Sequence, residues 1–156
     1  MKQEQARDIG LFFLLGFMDE RGGLAAASSA IAQIKAEESS PDESLPPSQF
    51  VNICHQTWKK HRGLTPRNQS FDGPQHSWII PKEIDIGIWA RYQKDAPDED
   101  VMTILFSMVF ALSDEELAEG LKTSLGTIRY RLGKGIRQLG RVVGNQASIL
   151  SQGAST

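Results

Sequence analysis

LSDEELAEGLKTSLGTIRYRLGKGIRQLGR, Leu112 to Arg141, divides sharply by charge. Seven acidic residues and no Lys or Arg lie between Asp98 and Glu119; six basic residues and no acid lie between Lys122 and Arg141. Ser113-Asp-Glu-Glu116 has the pattern of a capping box, in which a serine hydroxyl takes the amide three residues on and the glutamate reaches back. The pattern therefore predicts a helix starting at Ser113. A second start falls at Ser124, three residues after Leu121, and two helices joined so closely have the spacing of a helix-turn-helix. At about 100° per residue, Leu125, Ile128, Leu132, Ile136, Leu139 and Val143 share one face of the second helix. Thr127, Tyr130, Arg131, Lys134, Arg137 and Arg141 share the other, with Arg129 at the edge. Such a helix can pack on its own domain and turn its cationic side to an anion. Leu117, Ala118 and Leu121 supply a packing stripe on the companion helix.

The flanking composition sets the context. A chain of 156 residues holds one domain or two small ones. Its apolar share of 40% and charged share of 23% are those of an ordinary globular protein. The net charge of −2 conceals an asymmetry. Residues 1–100 carry 11 basic and 15 acidic side chains, residues 101–156 carry 6 and 4, so the cations are concentrated where a modular nucleic-acid reader needs them. A single cysteine, Cys54, excludes an internal disulfide and fits a reducing cytoplasm. The run Ile9 to Phe17 is too short to span a bilayer and lacks the flanks of a signal peptide, so no membrane partner is expected.

The segment EELAEGLKTSLGTIRYRLGKGIRQL resembles region 4, the promoter-recognition segment of sigma-70-type RNA polymerase sigma factors, above all the extracytoplasmic-function (ECF) group. Glu116, Ala118, Leu121, Ser124, Gly126, Thr127, Ile128, Arg131, Leu132 and Leu139 match that pattern in register. Three places depart from it: Lys122 stands for the usual turn glycine, Thr123 for an apolar turn residue, and Lys134-Gly135 for a late Arg-Ala pair. A lysine in a left-handed turn is strained, and Gly133 and Gly135 each cost a helix roughly 1 kcal/mol against alanine.

The remainder is expected to be helical, giving an all-α chain. Helices are predicted at 3–18 and 24–38, joined by a turn at Asp19–Gly23. Helix, GFMDERGG turn and helix resemble region 2, the polymerase-binding part of the same family. The stretch LAAASSAIAQ departs from it: the acidic pair and the Gln are missing from their places, and Ile31 stands near the aromatic position. Residues 39–48 have the composition of a linker. Phe50 to Arg62 is predicted as a short helix on which Trp58 is core and the lysines solvated, although an aromatic beside cations can also hold single-stranded DNA. Residues 63–82 are expected to be irregular, with a turn at Asp72-Gly73 and with Trp78, Ile79 and Ile80 pinning the loop. Helices then follow at 82–94 and 98–112, and the chain beyond Val143 is expected to fray. The domain organisation is thus 1–62 (helical, region 2-like), 63–97 (linker and connecting helix), 98–143 (region 4-like) and 144–156 (tail).

No Walker loop, G-x-G-x-x-G or C-x-x-C is present. Cys54 and His55 are adjacent and diverge on a helix, so neither a metal site nor a nucleophile–base pair is expected, and no enzyme activity or cofactor. The resemblance implies binding of double-stranded promoter DNA and of core RNA polymerase. Thr127, Arg129, Tyr130 and Arg131 would reach base edges, an arginine–guanine pair discriminating by about 1–3 kcal/mol. Ser124 would cap the helix and leave its amides for a phosphate. Lys122, Lys134, Arg137 and Arg141 would hold phosphates and make affinity salt-dependent. The alternative is a sigma mimic that binds an anti-sigma factor or another regulatory protein, with the apolar helices 9–17 and 101–112 as its interface.

Overall fold

A computed structural model describes residues 1–64 and 81–153. Among them the chain is all-α, with seven helices and no strand: α1 (Gln3–Phe17), α2 (Glu20–Glu37), α3 (Pro47–Arg62), α4 (Ile86–Asp95), α5 (Asp98–Phe110), α6 (Asp114–Gly120) and α7 (Leu125–Gly153). The expected turn at Asp72-Gly73 and the expected anchors Trp78, Ile79 and Ile80 lie outside the described residues. None of these helices is long and apolar enough to cross a membrane.

The run Ile9–Phe17 makes α1 the central helix. Every one of these nine residues is buried, as a helix apolar around its whole circumference requires. Phe12 meets Trp58 of α3 at 5.5 Å between ring centroids, Phe106 of α5 at 4.6 Å and Phe110 at 5.5 Å. Gly16 lets α3 close on α1, since a Cβ there would collide with the Trp58 indole. At the carboxyl end, α4 supplies donors for carbonyls that the helix leaves open. Trp89 Nε1 donates to Leu15 O at 2.8 Å, and the Gln93 side-chain amide donates to Gly16 O. The first and last thirds of the chain thus share one core, in which α1 touches α5 and α3 touches α6. The run 9–17 is therefore core and not a partner interface, and α5 is buried from Asp100 to Phe106, with Glu99 before that stretch and Met108 after it exposed.

Several boundaries shift for local reasons. The α1–α2 turn needs only Met18, in the left-handed region at φ 49°, and Asp19, whose carboxylate accepts the Gly22 amide at 2.6 Å. Gly22 and Gly23 therefore lie in α2 and not in a turn. Pro47 opens α3, where a missing amide costs nothing. Asp85 caps α4 by accepting from Ile88 N–H at 3.1 Å, so that helix begins at Ile86 and not near Lys82. α5 stops at Phe110 because Ala111 turns left-handed at φ 51°. α7 runs on to Gly153, so the expected fraying after Val143 is not found there. Trp58 is core, 1% exposed.

Candidate nucleic-acid interface

Both arms of the Ser113 capping box form: Ser113 Oγ accepts from Glu116 N–H at 3.2 Å, and Ser113 N–H donates to Glu116 Oε2 at 2.8 Å. Leu117 and Ala118 enter the core, and α3 also comes close to α6 at Gly120, where a Cβ would stand 2.5 Å from Val51 Cβ. The helix then closes by paired reverse bonds. Thr123 N–H donates to Ala118 O at 3.0 Å and Lys122 N–H to Glu119 O at 3.2 Å. Those are the two bonds of a Schellman ending, which needs a left-handed residue between helix and exit. Lys122 fills that place at φ 53°, the strained lysine that the sequence implied. Ser124 Oγ then accepts the Thr127 amide at 3.1 Å and lies 2.8 Å from Thr127 Oγ1. The cap expected of Ser124 therefore forms, and it takes the Thr127 amide.

α7 buries Ile128 and Gly135 and half-buries Leu132, Leu139 and Val142. Ile136 and Val143, expected on this packing face, are exposed instead, Ile136 at 65%. The reason is the narrowness of the contact. α5 and α4 both reach α7 at Gly135, through Ile104 and Tyr92, and Ile136 is rotated by about 100° from Gly135. At Gly135 a Cβ would collide with Ile104 Cδ1 and approach the Tyr92 hydroxyl to 3.1 Å.

The predicted cations separate into two groups. Arg131 Nη2 lies 2.6 Å from Glu99 Oε2, its side chain only 19% exposed. Lys134 Nζ lies 3.0 Å from Oδ2 of buried Asp100. Both are thus turned toward the first turn of α5 and not presented to a ligand as expected, because consecutive acids there fan out to different partners. Asp98 takes Arg62 at 3.2 Å, and the Arg62 guanidinium also covers the Phe17 ring at 5.5 Å. Arg129 keeps most of its side chain in solvent while Nε stands 3.4 Å from Asp114 Oδ2. Lys122, Arg137 and Arg141 are exposed and make no ion pair among the described residues. Tyr130 stands beside them, 63% exposed. Thr127 is half-buried by its own cap, and Ser124 is exposed.

His55 of α3 and Tyr92 of α4 report on the surroundings of the α5–α7 contact. Burial, reinforced by Lys59 and Arg131 and opposed by Glu99, holds the His55 imidazole below its ordinary pKa of 6.5. Burial and the nearby Asp100 carboxylate push Tyr92 up to about 12. Cys54 is buried, which raises its thiol pKa and keeps it protonated. Among the described residues no three His, Cys, Asp or Glu side chains are grouped to hold a metal ion.

Glu99 and Asp100 are the partners of the candidate site cations that sequence reasoning missed. The signal was present in the acid-only stretch facing a base-only one, but which acid meets which base depends on how the helices cross. No family model, curated protein or solved structure matches this chain.

Proposed function

We propose that the protein is a sigma-like transcription regulator that binds duplex promoter DNA through α6 and α7 as a helix-turn-helix and contacts core RNA polymerase in the cytoplasm. The sequence resemblance to region 4 supplies the family. The observation that carries the reading is the outward side of α7, where Arg129, Tyr130, Arg137 and Arg141 stand in solvent just past the turn bearing Lys122. An α-helix with a basic, accessible side fits the major groove. Arg129 and Tyr130, near the helix start, are placed to read base edges; Lys122, Arg137 and Arg141 hold phosphates. Arg131 and Lys134, tied to α5, fix the helix on its support and leave the group that meets DNA first.

Fluorescence anisotropy on a library of duplexes tests this. Arg129→Ala should relax sequence preference by about 1–3 kcal/mol at one position. Arg137→Ala should weaken every duplex alike and lower the slope of log affinity against log salt by about one. Equal losses from both substitutions on every sequence would refute specific readout.

A second reading has its own support. Ile136 and Val143, two turns apart, form an exposed apolar edge along the same helix, and aliphatic surface of that kind suits a protein partner such as an anti-sigma factor. Open-complex formation with core polymerase on a promoter library favours the initiation factor. Tight binding of a regulatory protein without open complexes favours the mimic.

A further inference from the structure

We propose that Glu99 is a built-in competitor for the duplex, holding Arg131 away from phosphate until DNA displaces it. The inference rests on the DNA-binding reading above and adds a regulating residue to it. The two acid–base contacts between α5 and α7 are not alike. In the Asp100–Lys134 pair the carboxylate is 7% exposed, enclosed by the core. In the Glu99–Arg131 pair the carboxylate is 65% exposed and the guanidinium 19%. An exposed glutamate leaves its partner for water at little cost, because surface ion pairs are weak and screened. A carboxylate enclosed by protein has no such exit.

Arg131 sits one turn after Thr127 and beside the row of Tyr130, Lys134, Arg137 and Arg141. Its side chain needs only to rotate outward to join the cations already in solvent. A phosphate oxygen would replace Glu99 Oε2 with the same charge-assisted geometry, and Arg offers that fork to either anion. Glu99 would then stay at the amino end of α5, where the helix dipole favours a carboxylate. His55, which feels both Glu99 and Arg131, marks the same junction from α3. The exchange sets a threshold: a weak polyanion contact leaves Arg131 on Glu99, and a duplex seated along α7 recruits it.

The test is a double-mutant cycle read by anisotropy on a pool of short random-sequence duplexes. Glu99→Gln in the wild-type chain should tighten binding roughly two- to fivefold, the ratio that an exposed ion pair commands, and steepen the salt slope by about one. In the Arg131→Gln background the same substitution should change nothing. Equal tightening in both backgrounds would mean that Glu99 merely repels the duplex, and would overturn the proposal. So would unchanged affinity in Glu99→Gln while Arg137→Ala still weakens binding, an outcome that leaves the DNA-binding reading intact. Absence of binding by the wild-type chain would overturn both. Circular dichroism checks that each variant folds. Independently, the Arg131 Nε resonance of the wild-type chain should shift when duplex is added, and a resonance that does not move would also defeat the proposal.

Discussion

Gly135 illustrates how one residue can carry opposite costs in helix and tertiary structure. As a helix residue it is unfavourable, yet a side chain there would strike Ile104 Cδ1 and crowd Ile104 Cγ1 at 3.0 Å. Gly133, two positions earlier, would place a Cβ against nothing but the end of Arg137 at 3.3 Å. The two positions should therefore answer the same substitution with opposite signs. Gly135→Ala is expected to destabilise the fold by about 1–3 kcal/mol through overpacking. Gly133→Ala should stabilise it by up to about 1 kcal/mol through helix propensity. Urea unfolding of the two variants checks this, and a common sign would show that α7 does not lean on α5 at Gly135. Lys122 poses a similar conflict between stability and binding. Its left-handed backbone at φ 53° makes Lys122→Gly stabilising by about 1 kcal/mol, while under the proposed function the lost charge should reduce the salt slope of duplex binding by about one.

Among the elements, α5 does the most with the least sequence. Asp98, Glu99 and Asp100 are adjacent, so along a helix they point some 100° apart and reach three different bases: Arg62, Arg131 and Lys134. All three also favour the positive end of the helix. Their energetic weights should differ with burial. Asp100→Asn is expected to cost about 1–3 kcal/mol, because it strips the partner from a partly enclosed ammonium. Glu99→Gln should cost less than about 1 kcal/mol. Denaturation midpoints at unchanged m-value would show the order, and its reversal would mean that the exposed pair, not the enclosed one, fastens α7. For α7 itself the start is local and the length is not. Ser124→Ala should cost about 1 kcal/mol by freeing the Thr127 amide.

For the whole molecule, the junction of α3, α5 and α7 should make stability depend on pH. The His55 pKa is lowered in the folded chain, chiefly by burial and then by Lys59. Below the ordinary value of 6.5 the unfolded chain takes up the proton before the folded one does, so stability declines as pH falls through that range and levels off below the folded value. His55→Gln should flatten this limb of the melting-temperature profile, and an unchanged limb would assign it to other groups. Much of this architecture was legible from local pattern. The capping box at Ser113, the left-handed place at Lys122, the start at Ser124 and the all-helical class each depend on a few neighbouring side chains, and hydrogen bonding within one or two turns is enough to specify them, whereas the expected burial of Trp58 is completed by Phe12, Gly16 and Phe17 of α1. The angular sorting of α7 was also correct for Ile128 and for the outward side of Tyr130, Arg137 and Arg141. It failed for Ile136, Val143, Arg131 and Lys134. A helical wheel gives the direction of a side chain but not the width of the surface that meets it, nor the charge that waits there. Those follow from where α5 crosses α7, and that crossing is fixed by Gly135 and Ile104, residues from separate helices whose fit no periodicity encodes.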